Sequence, residues 1–315
     1  MELSTPIIFE PLFMERVWGG RRLELLNGKR LPQGTRVGES WEIVDREEAQ
    51  SVVHDGPLRG ATLNELWTCH REAIFGSGLP ASDRFPLLCK LLDAQERLSV
   101  QVHPPAAVAE KLGGEPKTEM WYVMDALLDS DLYAGLKHGV TPETFQDALK
   151  HGRVAEQINV MPVKKGDTIF IPSGRVHAIG AGNLIVEVQQ NSDTTYRVFD
   201  WNRIGSDGRP RDLHIEESLT SINFDDIEPT KSAPSEGQPL IECEYFRVEK
   251  WQFEGTRSCD AGDHFAIFTV VDGQIKCGGR EFSAGGFFLV PPVIAHGELK
   301  AQGEATVLRT TIPLA

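Results

Sequence analysis

Four side chains able to ligate a metal are scattered through the middle of the chain. Gln101 and His103 lie in RLSVQVHP, Glu119 in KTEMWYV, and His177 in GDTIFIPSGRVHAIGAG. Two imidazole nitrogens and two oxygens form a borderline donor set that suits zinc or a similar divalent ion. Structural zinc usually takes closed, cysteine-rich sites. This set leaves room for a water or a substrate oxygen, as a reactive site must. Gln101 and His103 are two residues apart, so on a strand both point to one face.

The elements that must position these residues are mostly short strand-like runs bounded by Gly, Pro, Asp and Asn. Strands are expected at 40–45, 86–93, 97–102, 119–125, 167–171, 184–190 and 195–201. A second series is expected at 240–253, 264–271, 274–277, 286–290 and 305–312. Helix signals are fewer. Thr62 with Glu65 three residues on is a capping-box pattern. The run from Pro105 to Leu112 stops at Gly113 and Gly114. Thr141-Pro142-Glu143 opens a helix through Lys150, which 153–159 is expected to extend. Residues 226–239, DIEPTKSAPSEGQP, lack apolar periodicity and read as a linker.

A weak repeat relates the two strand series. Gly166, Pro172 and His177 have the same spacing as Gly285, Pro291 and His296, and the trios enclose the apolar runs DTIFI and GFFLV. The pattern predicts a mainly β fold of two cupin-type double-stranded β-helix (jelly-roll) barrels. The first, over 1–225, would carry the ligand set and a small helical insert at about 126–160. The linker at 226–239 would lead to a second barrel over 240–315. That barrel has no Gln-x-His equivalent, and His264 stands alone, so it is expected to be metal-free.

Composition narrows the partners. The 315 residues carry a net charge of −14. Nucleic acid and anionic membrane both select Lys and Arg clusters, so neither is an expected partner. A phosphorylated small molecule needs only two or three local cations. Cys69, Cys89, Cys243, Cys259 and Cys277 form no C-x-x-C and read as reduced thiols. The first residues lack the form of a signal peptide, and no apolar run approaches the ~18 residues of a membrane span. A cytoplasmic protein is expected, as a monomer or weak homodimer.

The runs LLCKLLDAQERLSVQVHP, EPKTEMWYV, KKGDTIFIPSGRVHAIGAG and VQQNSDTTYRVFDWNR resemble type I mannose-6-phosphate isomerases in their short bacterial form. The similarity extends from Val17-Trp18-Gly19-Gly20 and Gly38-Glu39-Ser40-Trp41-Glu42 to about Arg203, then continues weakly through the second barrel. The resemblance implies a zinc-dependent aldose–ketose isomerase that interconverts mannose 6-phosphate and fructose 6-phosphate, with one Zn2+ per chain. It implies Gln101, His103, Glu119 and His177 as the zinc ligands. Lys117 matches an active-site lysine of the family, and Asp193 with Arg197 matches an active-site pair. Larger members have His-Lys-Pro-Glu where this chain has Pro116-Lys117-Thr118-Glu119, so no role of that histidine carries over.

Such an isomerisation moves a proton between C1 and C2 through an enediol(ate) and needs a base and a stabiliser of the developing charge. Lys117, two residues from Glu119, is expected to project into the same pocket and steady an oxyanion, open the ring or bind phosphate. Arg197 is a permanent planar donor that suits a phosphate or an enediolate. Asp193 could orient Arg197 or exchange a proton with a ring oxygen. Lys90, inside the apolar run LLCKLLD, must find a partner, either a structural ion pair or the substrate's phosphate. Trp18 is core or a sugar-stacking platform, and Glu39 could line the pocket. The base stays open among a metal-bound water, Lys117, Asp193 and Glu39. Other readings are an isomerase of an unphosphorylated sugar such as mannose, a non-catalytic sugar-binding bicupin, and a cupin oxygenase using iron. The glutamine ligand and the Lys117 and Arg197 cations favour the sugar phosphate.

Overall fold

A computed structural model of the chain describes residues 5–205, 208–235, 237–259, 262–292 and 297–313. In chain order the elements are β1 (Leu12–Gly20), β2 (Val37–Ile43), α1 (Leu63–Cys69), α2 (Arg71–Phe75), β3 (Leu87–Ala94), β4 (Val100–Val102), α3 (Ala106–Ala109), β5 (Glu119–Ala126), β6 (Asp131–Leu136), α4 (Pro142–Lys150), β7 (Ile158–Pro162), β8 (Thr168–Ile171), β9 (His177–Ile179), β10 (Asn183–Gln190), β11 (Tyr196–Phe199) and α5 (Ile215–Ser221). The C-terminal part adds β12 (Ile241–Glu242), β13 (Arg247–Ser258), β14 (Ala266–Asp272), β15 (Gln274–Cys277), β16 (Arg280–Ser283), β17 (Phe287–Val290) and β18 (Glu298–Thr311). The fold is mainly β, as expected, and the strand pairings are antiparallel.

Three sheets carry the architecture. A six-stranded sheet has the order β1-β2-β3-β10-β5-β8, and a five-stranded sheet the order β11-β4-β9-β6-β7. A third follows the path β12-β13-β18-β14-β17, with β15 and β16 beside β18. Side chains of the first two sheets interdigitate in one core, where Leu92, Trp121 and Ile185 meet Leu132, Ala134 and Ile179. The other face of the six-stranded sheet packs on the third, where Leu91, Tyr122 and Val186 meet Ile267, Leu289 and Leu308. The six-stranded sheet is therefore covered on both sides. That is why LLCKLLDA is apolar at successive positions, interrupted only by Lys90 and Asp93, and why every residue of β2 and β3 is buried.

The local signals hold at several element ends. Thr62 and Glu65 form a reciprocal capping box at α1, and Thr141 caps α4 with Pro142 in its first turn. Gly166 and Gly285 both turn at positive φ (90° and 87°) just before four-residue strands, β8 and β17. Of the two matching histidines, His177 starts β9. His296 lies outside the described residues.

The expected helical insert at 126–160 is shorter than its pattern suggested. Residues 131–136 and 158–162 are β6 and β7, and only α4 and a 3-10 turn at Val154–Gln157 lie between them. β6 pairs with both β7 and β9, so sheet pairing overrides the weak helical periodicity of this stretch. The segment read as a linker lies against the first two sheets. Ile227 bridges to Leu136, Ser232 bridges to Thr168, and Lys231 pairs with Asp167 at 2.7 Å. No helix among the described residues is long and apolar enough to cross a membrane.

Candidate active site

Strand register builds the site. On the six-stranded sheet, Trp41, Lys90, Glu187 and Trp121 are lateral partners across β2, β3, β10 and β5, and Glu119 pairs with Gln189 one step along. With a period of two, these residues share the face that looks toward the five-stranded sheet. On that facing sheet, Arg197, Gln101 and His177 are partners across β11, β4 and β9. His103 follows directly after β4. The two rows confront each other, and the predicted ligands meet in space although 76 residues separate Gln101 from His177.

One ligand atom from each of His103, Glu119 and His177 lies within 4.8 Å of the other two, and all three residues are buried. His103 Nδ1 donates to the Thr194 carbonyl at 2.8 Å, and His177 Nδ1 donates to the Arg175 carbonyl at 2.9 Å. These bonds fix the tautomer and turn both Nε2 atoms inward, as outer partners of metal-binding histidines do. Each Nε2 stops 3.5 Å from a Glu119 oxygen. His103 Nε2 and Glu119 Oε1 are buried without a hydrogen-bond partner, and Glu119 Oε2 meets the Lys117 ammonium alone. Buried polar atoms are normally satisfied, so a converging imidazole nitrogen and carboxylate oxygen left without partners form a group that could hold a cation. Gln101 reaches the same point, its amide 3.3 Å from His177 Nε2. A half-turn of that amide presents Oε1 instead. The donors present therefore fit a divalent ion.

Beside the cluster, charges of alternating sign run along one wall. Lys117 Nζ lies 2.7 Å from Glu119 Oε2 and 4.0 Å from Glu187 Oε1. Lys90 Nζ lies 3.4 Å from Glu187 and 3.9 Å from Glu39. Arg16 grips Glu39 with two bonds of 2.9 and 3.1 Å, and Trp41 Nε1 donates to Glu39 at 2.6 Å. Burial opposes the charge on each group. At Lys117, Glu119 and Glu187 overcome burial and raise the pKa. At Glu187, burial and the Glu119 charge prevail over both lysines and raise it. Burial pushes His103 down to about 3, toward the neutral, ligating form.

At Glu39, burial is outweighed by Lys90, Arg16 and the bonds from Arg16 and Trp41, which together bring the pKa from 4.5 down to about 2. A depressed carboxylate contributes stability above its unfolded pKa and loses it as pH falls through the folded value. The stability lost in Glu39→Gln should thus be full above pH 4.5 and shrink toward pH 2. Urea titrations of both proteins across that range would show it. A difference independent of pH would mean that Glu39 acts by packing alone.

The two rows enclose a cavity of about 350 Å³ lined by Arg16, Trp18, Glu39, Lys90, Ser99, Gln101, Lys117, Glu187, Asp193, Arg197 and Arg211, among others. Gly19 lies so close to Gly38 that a Cβ on it would sit 2.4 Å from the Gly38 nitrogen, and this contact seats Trp18 at the cavity. Trp18 is only 3% exposed and joins the core, while it also lines the cavity. Lys90 likewise pairs with carboxylates while lining the cavity. Asp193 is exposed on the rim, and its charge acts on Arg16 and Lys117. Among the described residues no ion pair joins Asp193 to Arg197. The Arg197 guanidinium instead donates to the Asp212 carbonyl at 2.8 Å.

The cavity also takes in three residues with no expected role, Arg16, Glu187 and Arg211. Arg16 is two residues before Trp18 and so shares its face of β1, and Glu187 interrupts the apolar run LIVEV as Lys90 interrupts its own. Those signals were available. Arg211 comes from a loop, where nothing local points inward.

Residues 8–135 match the model of a family described as phosphomannose isomerase type I, catalytic domain. The chain is 38% identical over 314 residues to the mannose-6-phosphate isomerase ManA of Bacillus subtilis, covering 96% of this chain and 97% of that one. It is 38% identical over 280 residues, 86% of each chain, to the mannose-6-phosphate isomerase of Streptococcus mutans. The crystal structure of the mannose 6-phosphate isomerase from Bacillus subtilis superimposes with a TM-score of 0.86 at 31% identity, covering 98% of this chain and 100% of that one. Fold and these likenesses together define a mannose-6-phosphate isomerase, and this chain carries a buried His–Glu–His group that could hold a metal. The chain belongs to the type I phosphomannose isomerase family.

Proposed function

We propose that the protein interconverts mannose 6-phosphate and fructose 6-phosphate through an enediolate, with one zinc ion held by Gln101, His103, Glu119 and His177. The observation that supports this most is the set of orphaned buried atoms on His103 and Glu119, beside a cavity rich in cations. A divalent ion there would supply Lewis-acid polarisation and orientation of the sugar oxygens.

The remaining roles fall to the chain's own residues. Lys117, held protonated by Glu119 and Glu187, steadies negative charge on the sugar oxygens. Arg197, beside Gln101 across the β11–β4 pairing, stabilises the enediolate. Glu187 is the carboxylate best placed to carry the proton between C1 and C2. Its Oε2 accepts from Trp121 Nε1 at 2.9 Å, which leaves Oε1 toward the lysines and the cavity. Asp193, on the rim, meets the sugar ring, and Trp18, Lys90 and Glu39 shape its bed. Both Arg197→Ala and Glu187→Gln should cut kcat by about 10²- to 10⁴-fold with KM changed only a few-fold. Steady-state kinetics on mannose 6-phosphate tests the assignment. A rise in KM at unchanged kcat would reduce either residue to a binding group.

The same reading treats residues 1–225 as a catalytic cupin barrel, 226–239 as its connection and 240–315 as a metal-free second barrel. It also places the enzyme in the cytoplasm, a compartment that suits five cysteines with no disulfide among the described residues.

A further inference from the structure

The sugar end of the cavity is accounted for above, but the far end holds a second cation that the proposed chemistry does not use. Arg211 lines the cavity from the loop after β11. Its Nε and Nη2 donate to the two oxygens of buried Asp200 at 2.8 and 2.6 Å. This leaves Nη1 without a protein partner among the described residues and fixes the plane of the guanidinium. Arg197 lies next to it. Burial, then the Arg211 charge, lower the Arg197 pKa, and Arg197 Nε is buried without a partner. Two guanidinium groups crowded at one end of a cavity, with a single carboxylate tied to one of them, form a site for an anion.

The order of strands says which anion. From His177 on β9 the sheet runs to Gln101 on β4, then to Arg197 on β11, its edge strand, and Arg211 lies past that edge. Each strand step is about 4.8 Å. A sugar whose C1 and C2 face the ligand cluster therefore extends its other end past Arg197 toward Arg211. We propose that Arg211 binds the phosphoryl group of the substrate and is the residue that selects a phosphorylated over a free sugar. This rests on the isomerase reading above and adds a named anchor for the phosphate. Asp200 is the positioning residue, since it acts only through Arg211.

The test is kinetic. Arg211→Gln should raise KM for mannose 6-phosphate about 10- to 100-fold with kcat within about fivefold, because a charge-assisted bond to the phosphate is lost. The inhibition constant of inorganic phosphate should rise by a similar factor. Arg211→Lys keeps the charge without the fork and should recover part of both, and Asp200→Asn should fall between. If Arg211→Gln does not fold, the Lys and Asn variants give the same comparison. Unchanged KM and unchanged phosphate inhibition in the variants would overturn the proposal. Failure of the isomerase reading looks different: the unmodified protein would not turn over mannose 6-phosphate. In that case thermal stabilisation by inorganic phosphate, present in the unmodified protein and lost in Arg211→Gln, would still support Arg211 as the anion site, and its persistence in the variant would sink it.

Discussion

His103→Ala should leave a folded protein that holds almost no metal and has lost at least about 10³-fold in turnover. The loss of several kcal/mol of charge stabilisation corresponds to a factor of that size. His103 Nε2 converges on Glu119 without a hydrogen-bond partner, and its ring is locked by the Thr194 carbonyl, so no neighbour can take its place. The fold should survive because the side chain contributes little to the apolar cores and Glu119 keeps its ion pair with Lys117 at 2.7 Å. Elemental analysis of the purified variant should find metal far below one equivalent, with an unchanged circular dichroism spectrum. Full metal occupancy in the variant would show that the ion is held elsewhere.

Lys90→Met should be the most destabilising change on the charged wall. Lys90 is 3% exposed and compensates Glu187 at 3.4 Å and Glu39 at 3.9 Å, with its ammonium 4.9 Å from the centre of the Trp41 ring. Methionine fills similar volume, so the cost comes from charge. Removing one partner of a buried pair costs about 3–5 kcal/mol, because the other charge stays buried alone. Arg16 still serves Glu39, so Glu187 bears most of the penalty. Adding Glu187→Gln to Lys90→Met should therefore recover much of the loss, since the amide oxygen can still accept from Trp121 Nε1. Denaturant unfolding of the two single variants and the double variant gives the coupling. Strict additivity would mean that the two side chains do not stabilise each other.

How much of this was legible in the sequence differs from residue to residue. The grouping of Gln101, His103, Glu119 and His177 was, because parity puts Gln101 and His103 on one face of an expected strand and the Gly–Pro–His spacing singles out His177, although β9, which it opens, was not among the expected strands. The facing of Glu39 was not. β2 is buried on both sides, so the alternation that usually separates inside from outside is missing. Only its pairing with β3, interrupted by an irregularity after Trp41, orients Glu39 toward the cavity. β6 and β7 were hidden for a related reason. They are short strands whose identity comes from partners far away in sequence, while Thr141 and Pro142 between them announce a helix strongly. Arg211 had no local signal, because only tertiary structure carries its loop over the edge of β11.

The most direct test of the account is conversion of mannose 6-phosphate to fructose 6-phosphate by the purified protein, measured before chelation, after chelation, and after zinc is restored. Conversion should disappear with the chelator and return with about one equivalent of zinc per chain. Conversion that survives complete removal of metal would contradict the four-ligand site, and none in the zinc-loaded protein would contradict the substrate.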